Sequence, residues 1–326
     1  MFNLSSVTDT PSLCAQGTCV TIGNFDGVHM GHRALIQRTC QKAVHNALPC
    51  TVLTFWPHPL RVLAGSHAPP LLTSRHQRAR LLEQLGVQVC LEMPFDRPLA
   101  ALSPEDFVRQ VLVPLNTRHL IVGYDFSLGK GRMGTADVLE HLGQRYGFAV
   151  EQLSPVILQD AVVSSTRIRD LIRQGEVWEA RTLLGRFHSI NGTVIHGHGR
   201  GEGLGFPTAN LPATEVLLPR QGVYATWVSV QGVPHAAVTN VGINPTFDGN
   251  NISVESFLLD TNINLYEQDI KVSFALRLRD EIRFPNPAAL CARIKQDVIL
   301  ARQALSQAEN GQRLSFTSAP SSLPTP

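Results

Sequence analysis

The chain has 326 residues, 43% hydrophobic and 17% charged, with 28 Lys and Arg against 26 Asp and Glu for a formal net charge of +2. That length allows two domains, each able to bury a core, and the composition is that of a soluble globular protein. The near-balance of charge gives no case for nucleic acid or an anionic membrane surface; no apolar run has transmembrane length, and no charged-then-apolar leader opens the chain, so neither a nucleic-acid nor a membrane partner is expected.

Residues 1–17 read as a short irregular extension. Cys19-Val20-Thr21-Ile22 is a strand, apolar, partly β-branched and bounded by glycine. From Arg33 the period changes: Leu35, Ile36, Cys40, Ala43, Val44 and Ala47 share one face of a helix near 33–46. A second strand, 51–55, is stopped by Trp56-Pro57-His58-Pro59. Ser74 and Gln77 make a capping box for a helix ending at Gly86, and 87–91 is a strand. Ser103-Pro104-Glu105-Asp106 opens another helix, with an N-cap, a first-turn proline and two early acids. Residues 119–122 form a strand, Thr135 caps a helix closed at Gly147, and 149–153 form a fifth strand. The alternation predicts a parallel sheet with helices on both faces, which binds ligands at the carboxyl ends of its strands.

The second half differs. A helical piece at 166–184 leads into short strand-like runs at 193–195, 223–228, 236–239, 254–258 and 270–274, separated by Gly, Pro and Asn. They predict an antiparallel barrel or sandwich. Asn286-Pro287 then opens a terminal helix with Leu290, Ile294, Val298 and Ala301 on one side. From about 310 the chain is rich in Ser, Pro and Thr, a composition expected to be disordered. The domain boundary falls near 185.

Cys14, Cys19, Cys40, Cys50, Cys90 and Cys291 include no C-x-x-C pair and sit mostly in apolar runs. They read as buried free thiols in a reducing, cytoplasmic compartment, and a zinc site is not expected.

The chemistry concentrates at predicted strand ends. Residues 23–32, GNFDGVHMGH, join the first strand to the first helix. Glycines there let backbone approach a ligand, a helix start offers free N–H groups to phosphate, and histidine adds a proton or hydrogen bond. His29 and His32 alone could equally be ordinary helix-start residues or, three apart, metal ligands lacking a third partner. Ser164-Ser165-Thr166-Arg167-Ile168-Arg169 offers hydroxyls and guanidinium groups at a helix start, a phosphate clamp or a plain N-cap. Gly129-Lys130 is not a P-loop: the spacing back to Gly123 is one residue too long and Gly131 follows the lysine. In the second half, 197–206 is a glycine-rich loop suited to covering phosphates, although a turn-rich surface loop has the same look. Thr208 and Asn210 are neutral oxygen ligands that suit Mg²⁺ already bound to phosphate. Glu255 lies in an otherwise apolar strand, either as an edge-facing surface residue or as a base aimed into a pocket.

Taken together, "GNFDGVHMGH", "TFWPHP", "VGYDFSLGKGRMGT" and "SSTRIR", followed by "LLGRFHSINGTVIHGHGRGEGLGFPTANL", "GVYA", "VGINPTFDG" and "VESFLLD", resemble in order the bifunctional prokaryotic riboflavin kinase/FMN adenylyltransferase (FAD synthetase) family, from about 18 to 302. The resemblance implies a nucleotidyltransferase-like α/β domain at 18–185, a riboflavin kinase β-barrel with a terminal helix at 186–309, and flanking segments at 1–17 and 310–326. His29 and His32 would match the family's H-x-G-H pair, stabilising ATP phosphates as the FMN phosphate attacks the α-phosphorus. Gly23, Phe25, Gly27 and Asp125 would help hold the nucleotide, and Ser164, Ser165, Thr166 and Arg169 the departing pyrophosphate. Glu255 would be the general base on the ribityl hydroxyl, Thr208 and Asn210 the Mg²⁺ ligands, and Gly199, Arg200 and Gly205 part of the phosphate-covering loop. The implied substrates are riboflavin, FMN and ATP with Mg²⁺. Departures are Glu202-Gly203 for a basic-polar pair, Arg186-Phe187-His188 for Arg-Pro-Tyr, Glu267 for a glycine and Phe257 for a frequent histidine; none removes a proposed catalytic group.

Overall fold

The computed structural model describes residues 1–9, 12–197, 202–212, 214–246, 249–261 and 263–312; the predicted Ser/Pro/Thr-rich tail lies almost wholly outside them. The chain divides into two compact units, Met1–Ile168 and Arg169–Pro326.

In the first unit, β1 (Phe2–Leu4), β2 (Thr18–Ile22), β3 (Cys50–Trp56), β4 (Val89–Pro94), β5 (Thr117–Gly123) and β6 (Ala149–Leu153) form a six-stranded sheet in the order β1-β4-β3-β2-β5-β6. Every pairing is parallel. All five residues of β2 are buried, as a parallel strand covered on both faces requires. Its neighbours explain this. Cys19 packs with Leu35, Ile36 and Ala43 of α1 (Met30–His45). Val20, pointing the other way, packs with Phe107, Val111 and Leu139 from the opposite layer.

The connections are α2 (Pro59–Leu63), α3 (Arg75–Gln84), α4 (Arg97–Ala100), α5 (Pro104–Phe107) and α6 (Ala136–Tyr146). A small hairpin, β7 (Ile157–Leu158) with β8 (Ala161–Val162), precedes α7 (Ser165–Gln174), within which the division between units falls. The capping box forms as the sequence predicts. Ser74 Oγ accepts from the Gln77 N–H at 3.2 Å, and Gln77 Oε1 accepts from the Ser74 N–H at 2.9 Å. Gly147 closes α6 in the left-handed conformation, φ 81°.

The helix predicted at Ser103 opens there, Ser103 Oγ accepting from the Asp106 N–H at 3.0 Å, and after one turn it continues as a π-helical turn, Val108–Leu112, with the Val113 N–H donating to the Val108 carbonyl at 2.9 Å. Three expectations need correcting. Thr135 stands at the N-cap of α6, but its hydroxyl makes no capping bond. The first residues are not wholly irregular, since Phe2–Leu4 adds β1 to the β4 edge. Cys40 and Cys50 are not free thiols but a disulfide. Packing of α1 on β3 brings their Cα atoms to 4.9 Å, within disulfide reach. Cys14, Cys19 and Cys90 are buried free thiols, and Cys291 is a half-buried one.

In the second unit the predicted helix 166–184 breaks at Gly175, φ 85°, into α7 and α8 (Val177–Leu184). There follow β9 (His188–Thr193), β10 (Ala209–Leu211), β11 (Gly222–Val230), β12 (Val233–Thr246), β13 (Gly249–Leu258) and β14 (Asp269–Arg279), antiparallel in the order β10-β13-β12-β11-β14-β9. The Ile195 N–H donates to the Asn210 carbonyl at 2.9 Å, so the two edges meet and the sheet closes as a barrel. Helix α9 (Pro287–Glu309), capped by Asn286, covers one outer face through Ala301, Ala304 and Leu305. Its buried Asp297 accepts from Arg279 of β14 at 2.7 Å and from Arg293 at 3.1 Å, which supplies the partners a buried carboxylate needs.

His188 on β9 is buried, and burial pushes its imidazole pKa down to about 4. Its Nε2 donates to the Leu217 carbonyl at 2.7 Å, a bond that favours the charged ring, but burial outweighs it and the native ring is neutral at neutral pH. The unfolded ring protonates near pH 6.5. Between the two values the unfolded chain binds a proton the native one refuses, so stability present above pH 6.5 is lost as pH falls, by on the order of 2 kcal/mol at pH 5. Thermal unfolding of wild type should therefore drop between pH 7 and pH 5, and less so in His188→Gln. Superimposable pH profiles for the two proteins would contradict this.

Among the described residues, no helix is long and apolar enough to cross a membrane, and no group of three or more His, Cys, Asp or Glu is placed to hold a metal ion.

Candidate active sites

The order of the first sheet reverses between β2 and β5, the crevice where doubly wound sheets bind ligands. The loop 23–32 leaves β2 there, and Asp125 follows β5 two residues beyond Gly123, exposed. His29 is the N-cap of α1. Its Nδ1 accepts from the His32 N–H at 3.3 Å, and the two imidazoles stack with centroids 3.6 Å apart. The edge of Phe25 meets the His32 ring at 5.3 Å. A Cβ on Gly31 would stand 3.2 Å from the His29 ring, and one on Gly23 3.1 Å from the Phe25 ring, so both glycines make room for aromatic neighbours. Gly27 adopts φ 85° and its N–H donates to Thr73 Oγ1 at 3.1 Å.

The start of α7 reaches the same loop. Ser164 Oγ accepts from the Arg167 N–H at 3.3 Å, an N-cap contact, and Ser165 Oγ donates to the Asp26 carbonyl at 3.0 Å. The structure thus brings the N-terminal ends of α1 and α7 together, with Thr166 exposed beside them. Two helix starts converging on one loop make a place for a polyphosphate. Arg169 is buried further along α7. Of the TFWPHP segment, Trp56-Pro57 is a cis peptide, and buried His58 caps α2, its Nδ1 accepting from the Leu60 N–H at 3.2 Å.

Sequence reasoning missed what holds this loop. Asp26 is buried, and its carboxylate accepts from the backbone N–H groups of Leu72 at 2.9 Å and Thr73 at 3.1 Å. Arg78 of α3 and Thr54 of β3 both donate to the Asn24 carbonyl, at 3.0 and 3.3 Å. A signal existed for Arg78: it precedes the inward-facing Leu82 by four residues, so it shares the buried side of α3.

In the second unit, Thr208 and Asn210 sit at the seam of the barrel. A cavity of about 400 Å³ opens there, walled by Gly197, Thr208, Asn210, Ser256, Leu258 and Tyr266 among others. Glu255 of β13 is the register partner of Asn210 on β10 and of Asn240 on β12, and is half-buried. Strand alternation turns Glu255 away from the barrel interior. Ser256 faces in, within a buried hydroxyl chain to Thr239 at 2.8 Å and Thr226 at 2.7 Å. Asn210 therefore lines the cavity and neighbours Glu255 at once. Its Nδ2 donates to the Thr208 carbonyl at 3.2 Å, leaving Oδ1 as the amide's acceptor end. A Cβ on Gly197 would stand 2.4 Å from that Nδ2, so any other residue there would displace the Asn210 amide. His196 stacks on Tyr266 at 3.9 Å beside the cavity. Gly205 holds φ 83°, while Gly199 and Arg200 lie outside the described residues. Two departures have structural counterparts: Glu267 sits at φ 64°, a conformation glycine adopts without strain, and Phe257 meets Phe206 edge-on at 5.4 Å.

Comparison with known proteins agrees with both halves. The FAD synthetase family profile matches residues 12–167 and the riboflavin kinase profile residues 184–305. The bifunctional riboflavin kinase/FMN adenylyltransferase of Escherichia coli strain K12 is 38% identical over 290 residues, covering 88% of this chain and 93% of its own length. The proteins of the same name from Haemophilus influenzae and Listeria monocytogenes are 37% and 36% identical, over 88% and 85% of this chain and 94% and 89% of their own. A solved structure named as a macrolide-efflux protein from Streptococcus pneumoniae superposes with a TM-score of 0.83 at 29% identity, over 92% of this chain and 98% of its own. The chain belongs to the bifunctional riboflavin kinase/FMN adenylyltransferase family.

Proposed function

We propose that the chain catalyses successive steps of flavin cofactor synthesis, with residues 186–309 phosphorylating riboflavin to FMN and residues 18–185 adenylating FMN to FAD. What supports the reading is that each unit holds a cluster suited to phosphate: the stacked His29–His32 pair where two helices begin, and Asn210 between the cavity and Glu255.

In the kinase unit, Glu255 takes the proton from the ribityl 5′-hydroxyl as its oxygen attacks the γ-phosphorus of ATP and ADP leaves. The remaining work is positioning and charge neutralisation. Thr208 and Asn210 fit Mg²⁺: both offer neutral oxygens, and the amide contact to the Thr208 carbonyl turns Asn210 Oδ1 into a donor to a cation. When bound, Mg²⁺ neutralises phosphate charge. In the adenylyltransferase unit, an FMN phosphate oxygen attacks the α-phosphorus and pyrophosphate leaves. Because His29 Nδ1 accepts a backbone N–H, the neutral ring carries its proton on Nε2, a donor for developing negative charge. Gly23, Phe25, Gly27 and Asp125 shape the nucleotide site, and Ser164, Ser165, Thr166 and Arg169 the pyrophosphate end. Gly199, Arg200 and Gly205 belong to the loop over the kinase phosphates.

Incubation with riboflavin, ATP and Mg²⁺, with flavins separated over time, tests the whole: FMN and then FAD should appear, and untouched riboflavin would defeat the reading. Thr208→Ala and Asn210→Ala should each raise the Mg²⁺ concentration needed for phosphorylation by roughly 10- to 100-fold, the scale of losing one metal contact, without changing the Mg²⁺ demand of adenylation. Equal shifts in both reactions would remove these residues from the kinase metal site. A cytoplasmic location is part of the proposal, supported by ATP as substrate and by the buried free thiols, while the Cys40–Cys50 disulfide runs against it; recovery of the protein in a secreted or membrane fraction would overturn it.

A further inference from the structure

We infer that Arg78 is a positioning residue for adenylyl transfer, clamping the loop 23–32 to the end of β3 so that the His29–His32 pair faces the reacting phosphates. The inference rests on the proposed role of that pair.

Arg78 is 5% exposed, an unusual place for a guanidinium. Burying it demands an anion, and Glu92 of β4 supplies one through a short contact to Nη2. Glu92 alone would account for a structural ion pair. It does not account for the other bonds: Nη1 donates to the Asn24 carbonyl at 3.0 Å, and Nη2 to the Phe55 carbonyl at 3.3 Å. The first carbonyl belongs to the loop that leaves β2 at its carboxyl end, the second to the carboxyl-terminal end of the adjacent strand β3. The planar, forked guanidinium can satisfy both and a carboxylate at once; an ammonium cannot.

The loop needs such a clamp. Phe25 and Val28 have φ of 49° and 38°, a left-handed conformation that is uncommon for phenylalanine and an outlier for a β-branched valine. Residues held this way persist only where their surroundings over-determine them. The surroundings here are Asp26 on Leu72 and Thr73, Ser165 on the Asp26 carbonyl, and Arg78 with Thr54 on the Asn24 carbonyl. Asn24 precedes Phe25, whose ring edge abuts His32. Releasing the Asn24 carbonyl frees Phe25 and hence the stacked pair. Arg75, mostly exposed, shares Glu92 and the Trp56 ring with Arg78 but touches neither carbonyl, so it is the natural control.

The test measures steady-state FMN adenylation and riboflavin phosphorylation on the same preparations of wild type, Arg78→Ala, Arg78→Lys and Arg75→Ala. A misplacement of about 1 Å costs on the order of 100-fold. Arg78→Ala should lose about that much in kcat for adenylation, with KM for ATP and FMN moving less than about threefold, the signature of an interaction felt in the transition state. Arg78→Lys, which keeps the charge for Glu92 but not the fork, should lose roughly tenfold. Added methylguanidinium should restore part of the Arg78→Ala activity. Phosphorylation should stay at wild-type level throughout, and Arg75→Ala should adenylate normally. Adenylation by Arg78→Lys at the wild-type rate, a loss confined to KM, or an equal loss in Arg75→Ala would overturn the inference. Should Arg78→Ala prove unfolded, the lysine variant, checked for an unchanged melting temperature, decides alone. A wild type that makes no FAD would instead overturn the proposed function, a distinct outcome.

Discussion

Glu255→Gln should lower riboflavin phosphorylation by a factor of about 100 to 10,000, the usual contribution of a positioned general base, while adenylation of supplied FMN continues at the wild-type rate. The substitution keeps the size and planarity of the side chain and removes its negative charge, and with it the capacity to take a proton. Its setting makes the comparison clean. Glu255 is half-buried on β13, its register neighbours are the amides Asn210 and Asn240, and Asn240 Nδ2 is already given to Glu281 at 3.1 Å. Ser253 Oγ donates to Glu255 Oε1 at 3.5 Å, a bond that the amide oxygen of glutamine can also accept. Residual activity is also expected, because phosphoryl transfer draws mostly on positioning and charge neutralisation, which Thr208, Asn210 and the metal would still provide. The readout is the flavin profile over time, started once from riboflavin and once from FMN. A loss under tenfold from riboflavin would return Glu255 to the surface-residue reading.

The fold was legible because its signals are local. The alternation of strand and helix, the Ser74–Gln77 box and the Gly147 stop are written within a few residues, and each appears where the sequence put it. The barrel was legible as a class but not in its closure, since the Ile195–Asn210 bridge joins two strand ends whose meeting depends on the whole circuit of the sheet. The Cys40–Cys50 bond was illegible for a related reason: ten residues separate the cysteines, no motif marks them, and only the packing of α1 on β3 makes them neighbours. In the candidate sites, the residues meant to touch phosphate could be named from their loops. The residues that hold those loops could not, because Asp26 and Arg78 act on backbone groups 46 and 54 positions away, and a backbone carbonyl leaves no mark in a sequence. Ser165 shows the same limit, its hydroxyl donating to the Asp26 carbonyl.

His29→Asn should abolish most FAD formation, by roughly 100- to 1,000-fold in kcat, and leave FMN to accumulate from riboflavin. Asparagine is the informative choice because His29 has two roles that alanine would confound. Its Nδ1 caps α1 by accepting from the His32 N–H, and loss of such a cap costs about 0.5–2 kcal/mol. Asparagine is among the best N-cap residues, so it preserves the helix start while removing the ring and its Nε2–H. A variant with unchanged melting temperature and lost adenylation therefore separates chemistry from capping. His32→Ala supplies the complementary measurement. His32 lies in the first turn of α1, its ring stacked on His29 and edged by Phe25, and alanine is tolerated in that turn. If both imidazoles serve the same developing charge, the double variant should lose far less than the product of the single losses, as groups that act as a unit do. Strictly multiplicative losses would mean that the rings act independently, and FAD made at the wild-type rate by His29→Asn would leave the pair as a helix cap and nothing more.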